Sequence, residues 1–357
     1  MRGLSTGVIS TARLTHATPA ANYAHSMERG FEDDADVNLL KNPGACVDIA
    51  RQLIEFSENV EGSNGLEVAM GGGRRNFLPE TARDPEIGEA GFRLDGRNLP
   101  DLWQGLNPNN RYVWNNQQFD AIDPETTSQL LGLFEPSHMQ YELDRNPGPM
   151  GEPSLSAMTE KAIDILSKND DGYYLLVEGG RIDHAHHDTN PKRALMDAVE
   201  FSNAVRAAVE KVDLSETLII VTADHSHVFT IAGSPKRGNP ILGKVIGVDM
   251  TGEPTENFSR DTSELPYTTL SYANGRAPSI NGTPLENTES GRPDLTDIDT
   301  THESFHPEVT VPLNGETHGG EDVAIYAIGP GSDLVRGVME QNVIFHVMME
   351  ASQMEQR

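Results

Sequence analysis

Between Tyr173 and Asp188 the chain reads YYLLVEGGRIDHAHHD. An apolar run gives way at once to Glu178, two glycines, Asp183 and three histidines. Carboxylates and imidazoles are the ligands that zinc prefers among nitrogen and oxygen donors. If a helix follows the glycines, Asp183 and His187 stand four apart on one face, with Cβ atoms about 5–6 Å apart. One ion could bridge that pair, while His184 and His186 face elsewhere. Glu178, at the end of the apolar run, would serve another ion or orient a ligand. A single Asp/His pair at this spacing is ordinarily a surface pair. Three histidines and two carboxylates behind a buried strand point instead to a metal.

Three other segments carry the same residue types. TLIIVTADHSHVF places Asp224, His225 and His227 at the end of a second apolar run. His225 and His227, at i and i+2, share a face of an extended chain. Asp224 and His225 are adjacent and can meet one ion only on an irregular backbone. In LNGETHGGEDVAIYAIG, His318 sits beside two glycines ahead of a further apolar run. A lone loop histidine is usually solvated; as the third ligand of a remote cluster it would have a purpose here. GVISTARLTHATP places His16 and Thr18 after the first apolar run and before Pro19, which favours an extended turn. A threonine hydroxyl with carboxylates suits magnesium. A helix is expected next, carrying His25 and Arg29, and a guanidinium near metal ions is a two-toothed clamp for phosphate. Two zinc-type clusters and an oxygen-rich site together describe a phosphoryl-transfer centre, in which neighbouring ions hold the attacking and leaving oxygens of an in-line displacement.

Such segments can meet only if a sheet brings strand ends together. Strands are expected at 7–11, 66–70, 173–178, 217–223 and 322–329, all rich in aliphatic and β-branched residues. Helices are expected at 44–57, 154–168, 188–212 and 337–351. In 188–212 the apolar Leu195, Val199, Val205, Val209 and Val212 keep roughly to one face. Alternating strands and helices argue an α/β fold with a central, mostly parallel sheet flanked by helices. Ligands in such folds gather at the carboxyl ends of the strands. From 233 to 316 the texture changes to Gly, Pro, Asn, Ser and Thr without long periodic segments, which reads as an insertion between core strands. The domain reading is therefore 1–232 with 317–357 as an α/β core, and 233–316 as an inserted subdomain.

Composition narrows the partners. The 357 residues carry 27 basic and 55 acidic side chains, a formal net charge of -28. That excess argues against nucleic acid and anionic membrane as general partners. There is no apolar run of membrane length, no apolar stretch of signal-peptide type near Met1 and no lipid-anchor tail at the C-terminus. One cysteine, Cys46, allows no internal disulfide.

The phrases HATPAANYAH, GGGRRNF, RLDGRNL, GLFEP, VEGGRIDHAHH, VTADHSHVF and ETHGGEDVA, in this order, resemble alkaline phosphatase, nearer to the animal and marine bacterial enzymes than to the enteric one. The resemblance covers essentially the whole chain. It implies a phosphomonoesterase with two zinc ions and one magnesium ion, acting on phosphate monoesters, sensitive to inorganic phosphate, dimeric, and periplasmic or secreted. Residue by residue, it implies that Asp183, His187 and His318 bind the first zinc, and Asp224 and His225 the second. Thr18 and Glu178 would bind magnesium, with His16 behind them. Arg29 would hold the phosphate, and His227 would lie near it and the second zinc. A calcium site of the animal enzymes would match Glu86, the carbonyl of Phe134, Glu135 and Glu152, the last being Asp in that pattern. The insertion would be the family's crown subdomain at a dimer interface. The resemblance also implies two features absent from this chain. One is an Asp on an earlier core strand that bridges the second zinc and magnesium. The other is the nucleophilic serine of an Asp-Ser-Ala turn. Both are expected outside these 357 residues, so the chain alone is expected to be inactive. Cys46 matches a family cysteine that, in the animal enzymes, pairs with one in that outside segment. The competing readings are a metal-binding fragment without catalysis, and a related phosphodiesterase or sulfatase on the same metal cage.

Overall fold

The computed structural model describes residues 3–41, 44, 46–59 and 63–353. The chain divides into two compact units: Met1–Arg181 with Val199–Ile220 and Ala327–Arg357, and Ile182–Ala198 with Val221–Tyr326.

The first unit is built on five parallel strands: β1 (Ser5–Arg13), β2 (Val68–Gly72), β3 (Asn110–Val113), β4 (Gln129–Leu133) and β5 (Tyr173–Glu178), in the order β3-β4-β2-β1-β5. Side chains alternate across each strand, so a sheet covered on both faces needs apolar residues at every position. Val8, Ala69, Leu131 and Leu133 face one way and pack with Ile49, Leu53, Leu99 and Trp103. Ile9, Val68, Met70 and Leu130 face the other way and pack with Met158, Ala162, Ile165 and Leu166 of the helix Leu155–Leu166. Ser154 caps that helix, its hydroxyl accepting from the Ala157 N–H. The register sets Ser10 of β1 opposite Glu178 at the end of β5. After β2 the chain turns back under Gly72, where a Cβ would stand 2.1 Å from the Ser137 carbonyl oxygen, so only glycine fits.

Buried charge ties the far end of this unit together. Arg74, fully buried, donates to Asp84 (2.7 Å), to Glu86 (2.6 Å) and to the Leu133 carbonyl at the end of β4 (2.9 Å). Asp33 caps the short helix Asp34–Val37 by accepting from the Ala35 and Asp36 N–H groups.

The second unit has a three-stranded sheet. Its centre is β9 (Leu270–Gly275), antiparallel to β8 (Phe229–Ile231) and parallel to the strand Val309–Pro312. The remaining strands of the insertion are two-residue ribbons, so no element there exceeds six residues. A lysine ties one loop of the unit in place. The Lys244 ammonium donates to the carbonyls of Leu295 (2.8 Å), Thr296 (2.9 Å) and Ile298 (3.0 Å) and lies 4.7 Å from the Phe258 ring centre.

Several expectations need correction. β3 and β4 are present, although NRYV and QLLGL are too short and mixed to stand out as strands. The helix expected over 44–57 is Ile49–Ile54 followed by a second, one-turn helix at Phe56–Asn59, and residue 45 lies outside the described residues. His16 is extended, yet Ala17–Ala20 is a helical turn rather than an extended one, because a proline in the first turn has no hydrogen bond to lose. No helix carries His25 and Arg29. The Gln52 amide instead brackets His25, accepting from its N–H (2.9 Å) and donating to its carbonyl (3.0 Å). Side-chain bonds of this kind compete with the helical ladder. The strands expected at 217–223 and 322–329 shrink to β6 (Ile219–Val221) and Tyr326–Ile328, which pair with each other. Among the described residues no helix is long and apolar enough to cross a membrane.

Candidate metal centre

In the second unit, four histidines from three segments converge on one carboxylate oxygen. The glycines after β5 release the chain into the helix Arg181–His187, which carries Asp183 in its first turn and His187 in its last. The Asp183 Oδ1 lies 3.0 Å from His227 Nε2, 3.3 Å from His187 Nε2, 3.5 Å from His318 Nε2 and 3.9 Å from His225 Nε2. The strand pairing behind this is short: β7 (Ser226–His227) runs antiparallel to His318–Gly319, with His227 opposite His318. His225 stacks on His318 with ring centres 3.6 Å apart. Asp224 is mostly exposed, with Oδ2 3.4 Å from His225 Nε2.

The electrostatics follow from this crowding. Burial alone would raise the Asp183 carboxyl, but contact with His227 and the neighbouring imidazoles outweighs it and holds the group well below the usual carboxylate range. Burial would lower His227, yet Asp183 and Glu316 on its two sides push it up to about 9. His318 is lowered by burial and by the adjacent His225.

Two details of the donor set fit a bound cation. The Asp183 Oδ1 is buried and accepts no hydrogen bond of regular geometry, although four imidazole nitrogens surround it. The Nε2 atoms of His187 and His318 are 3.1 Å apart. Two nitrogens at about 2.0–2.1 Å from one tetrahedral ion are separated by about 3.3 Å. The ligand atoms form two close groups, Asp183 with His225 and His318, and His187 with His227 and Glu316. His225 Nε2 lies closer to Asp224 (3.4 Å) than to Asp183 (3.9 Å), while its ring stacks on His318.

The remaining site residues belong to the first unit. His16 Nε2 lies 3.2 Å from the Arg29 Nη2, and its ring meets His138 edge-on at 5.3 Å. Thr18 is exposed. Glu178 accepts from the buried Ser10 hydroxyl in a short bond. In a separate cluster, Glu152 is 2% exposed, and its Oε2 is buried without a hydrogen bond while Oε1 accepts from the Gln140 N–H at 2.8 Å. Burial and the Glu135 charge push Glu152 up to about 8, and Glu86 adds to the same field. Glu135 is itself raised by burial. Phe134 is buried in the sheet core, and its N–H donates to the Gly71 carbonyl.

The alkaline phosphatase family model matches residues 1–354. The chain belongs to the alkaline phosphatase family. It is 44% identical to the tissue-nonspecific isozyme of Felis catus, over 98% of this chain and 63% of that protein. It is 40% identical to the alkaline phosphatase of Gadus morhua, over 98% of this chain and 69% of that protein. The chain therefore spans a little under two thirds of the length of the mammalian relatives it matches. The fold agrees with solved alkaline phosphatases: that of the Antarctic bacterium TAB5, TM-score 0.59 at 22% identity over 99% of this chain and 72% of that one, and that of Thermus thermophilus, TM-score 0.62 at 23% identity over 98% and 71%.

Two residues close to the centre, Glu316 and Tyr272, escape a reading of the sequence, and a third, His186, expected to face elsewhere, packs against it. Glu316 is 4% exposed, with one carboxylate oxygen 2.8 Å from His227 Nδ1. His186 stacks on His227 with ring centres 4.7 Å apart, and its Nδ1 lies 2.9 Å from the Tyr272 hydroxyl. Glu316 and His186 sit inside segments the motifs had already marked, but only burial shows that they face the site. Tyr272 comes from the insertion and carries no motif.

Proposed function

We propose that the protein is a metal-dependent phosphate monoester hydrolase of the alkaline phosphatase type. The observation that carries this is the buried, unbonded Asp183 carboxylate oxygen ringed by His187, His225, His227 and His318. Asp183, His187 and His318 would hold one zinc ion, and Asp224 and His225 a second. Thr18 and Glu178 would hold magnesium, with His16 behind them; a solved TAB5 alkaline phosphatase variant is described with Mg bound. Bound metal supplies Lewis-acid stabilisation of the attacking and leaving oxygens. The chain's own groups do the rest. Arg29 offers two parallel N–H donors to phosphate, and His227 stands ready to orient Asp183. The Glu86, Phe134, Glu135 and Glu152 cluster would take calcium, whose charge would offset the carboxylates that now raise Glu152.

The family's serine nucleophile does not occur in an Asp-Ser-Ala context here, and we place it outside these residues. The segment 233–316 would act as a crown at a homodimer interface, and the protein would work in a periplasmic or secreted setting. The test is hydrolysis of p-nitrophenyl phosphate at alkaline pH by the full-length protein with zinc and magnesium added. Turnover that EDTA abolishes and zinc restores is the expected result. Faster turnover of a phosphodiester or a sulfate ester would replace this reading with the related one. Residues 1–357 alone should take up zinc without forming phosphoserine.

A further inference from the structure

Glu316 is a charged residue where charges are rarely found. Its side chain is fully shielded from solvent, and it lies two residues before His318 in a loop with no helix to cap. A buried carboxylate is costly unless its oxygens are used. Both are. One oxygen lies 2.8 Å from His227 Nδ1, and the other accepts from the Val228 N–H at 2.7 Å. The main chain of the same residue is used as fully. Its carbonyl lies 2.7 Å from His187 Nδ1, and its N–H donates to the His187 carbonyl at 3.0 Å.

The partners decide where the imidazole protons sit. An ionised carboxylate and a peptide carbonyl can only accept. His227 and His187 must therefore each carry hydrogen on Nδ1. That leaves their Nε2 atoms as the ones aimed at Asp183, at 3.0 and 3.3 Å. We propose that Glu316 is a positioning residue of the metal centre: one residue that, through side chain and main chain together, keeps hydrogen on Nδ1 and fixes the ring orientation of two histidines from different segments. Hydrogen-bond partners behind metal ligands do this generally, and removing one costs about 10–100-fold in affinity; the Glu316 carboxylate acts through His227 on the ligand Asp183, and its carbonyl acts on the ligand His187. Here the two tasks are joined in one residue, next in sequence but one to the ligand His318. His186 backs the arrangement by stacking on the outer face of the His227 ring.

The proposal rests on the metal reading above, and the test separates them. Glu316→Gln keeps size and shape but has one acceptor oxygen where two are needed. If that oxygen stays with Val228, the amide NH2 faces His227 Nδ1 and drives its hydrogen to Nε2. Two measurements follow on the full-length protein. The first is the ring 15N spectrum of histidine-labelled wild type, with and without zinc; His187 and His227 should show protonated Nδ1 in both. The second is zinc affinity by competition with a chelating dye. Glu316→Gln should weaken it about 10–100-fold with an unchanged far-ultraviolet spectrum, and Glu316→Asp should weaken it less. An unprotonated Nδ1 on either ring in the wild type overturns the proposal even if no variant folds. So does wild-type affinity in a folded Glu316→Gln protein. Failure of the wild type to take up zinc would sink the metal reading alone, and the ring spectra of wild type and Glu316→Gln without metal would still decide the role of Glu316.

Discussion

A carboxylate that caps a helix is normally most useful when ionised, and Asp33 is in conflict with that. It accepts from two N–H groups at the start of Asp34–Val37, yet burial and the nearby Asp36 charge push it from 3.8 up to about 6. The folded state therefore holds a proton that the unfolded chain has lost between about pH 4 and pH 6, so this group's contribution is complete below pH 4 and falls away as pH rises through 6. Asp33→Asn keeps an acceptor oxygen for the cap and removes the charge. It should raise the melting temperature at pH 8 and leave it unchanged at pH 3.5; an equal effect at both values would show that ionisation is not the cause. The same scale shows what a sequence can and cannot convey. Asp183 and His187 were legible because helical spacing alone brings i and i+4 together, and they do lie 3.3 Å apart. Glu316 was not, because nothing in NGETHGG distinguishes a solvated glutamate from one buried beneath two histidines.

Strands were legible where both faces are covered, since the chain must then be apolar at every position. β1 and β5 announce themselves in this way, whereas β3, reading NRYV, borrows its place from its neighbours. The helix expected around Arg29 failed for a different reason: a side chain, Gln52, from 27 residues away competes for the backbone. Elements are also joined here by charge. Arg74 links the turn after β2 to the end of β4 and to Asp84 and Glu86, all through a guanidinium with no exposure to water. Arg74→Met would strand the nearly buried Asp84. Loss of one partner of a buried pair costs about 3–5 kcal/mol. Urea unfolding of the variant should show a loss of that order, and the double variant Arg74→Met with Asp84→Leu should recover a large part of it. A loss below 1 kcal/mol in the single variant would mean that water reaches the site readily.

At the level of the whole molecule, the acidic excess and the clusters of carboxylates and histidines make added cations the natural explanation for stability, and chelation the natural way to remove it. The second unit contains an exception. Lys244 places a positive charge among the carbonyls of Leu295, Thr296 and Ile298 much as a bound ion would. An ion belonging to the chain cannot be titrated out, diluted away or exchanged for a competitor. EDTA should therefore strip the histidine cluster while leaving the 295–298 loop as resistant to limited proteolysis as before. Lys244→Met should reverse this, opening the loop to cleavage at any metal concentration, and calcium should not restore protection. Cleavage near residue 296 on chelation of the wild type would contradict the account. The loop thus has a permanent occupant, in one copy per molecule, inherited with the sequence rather than acquired from the medium.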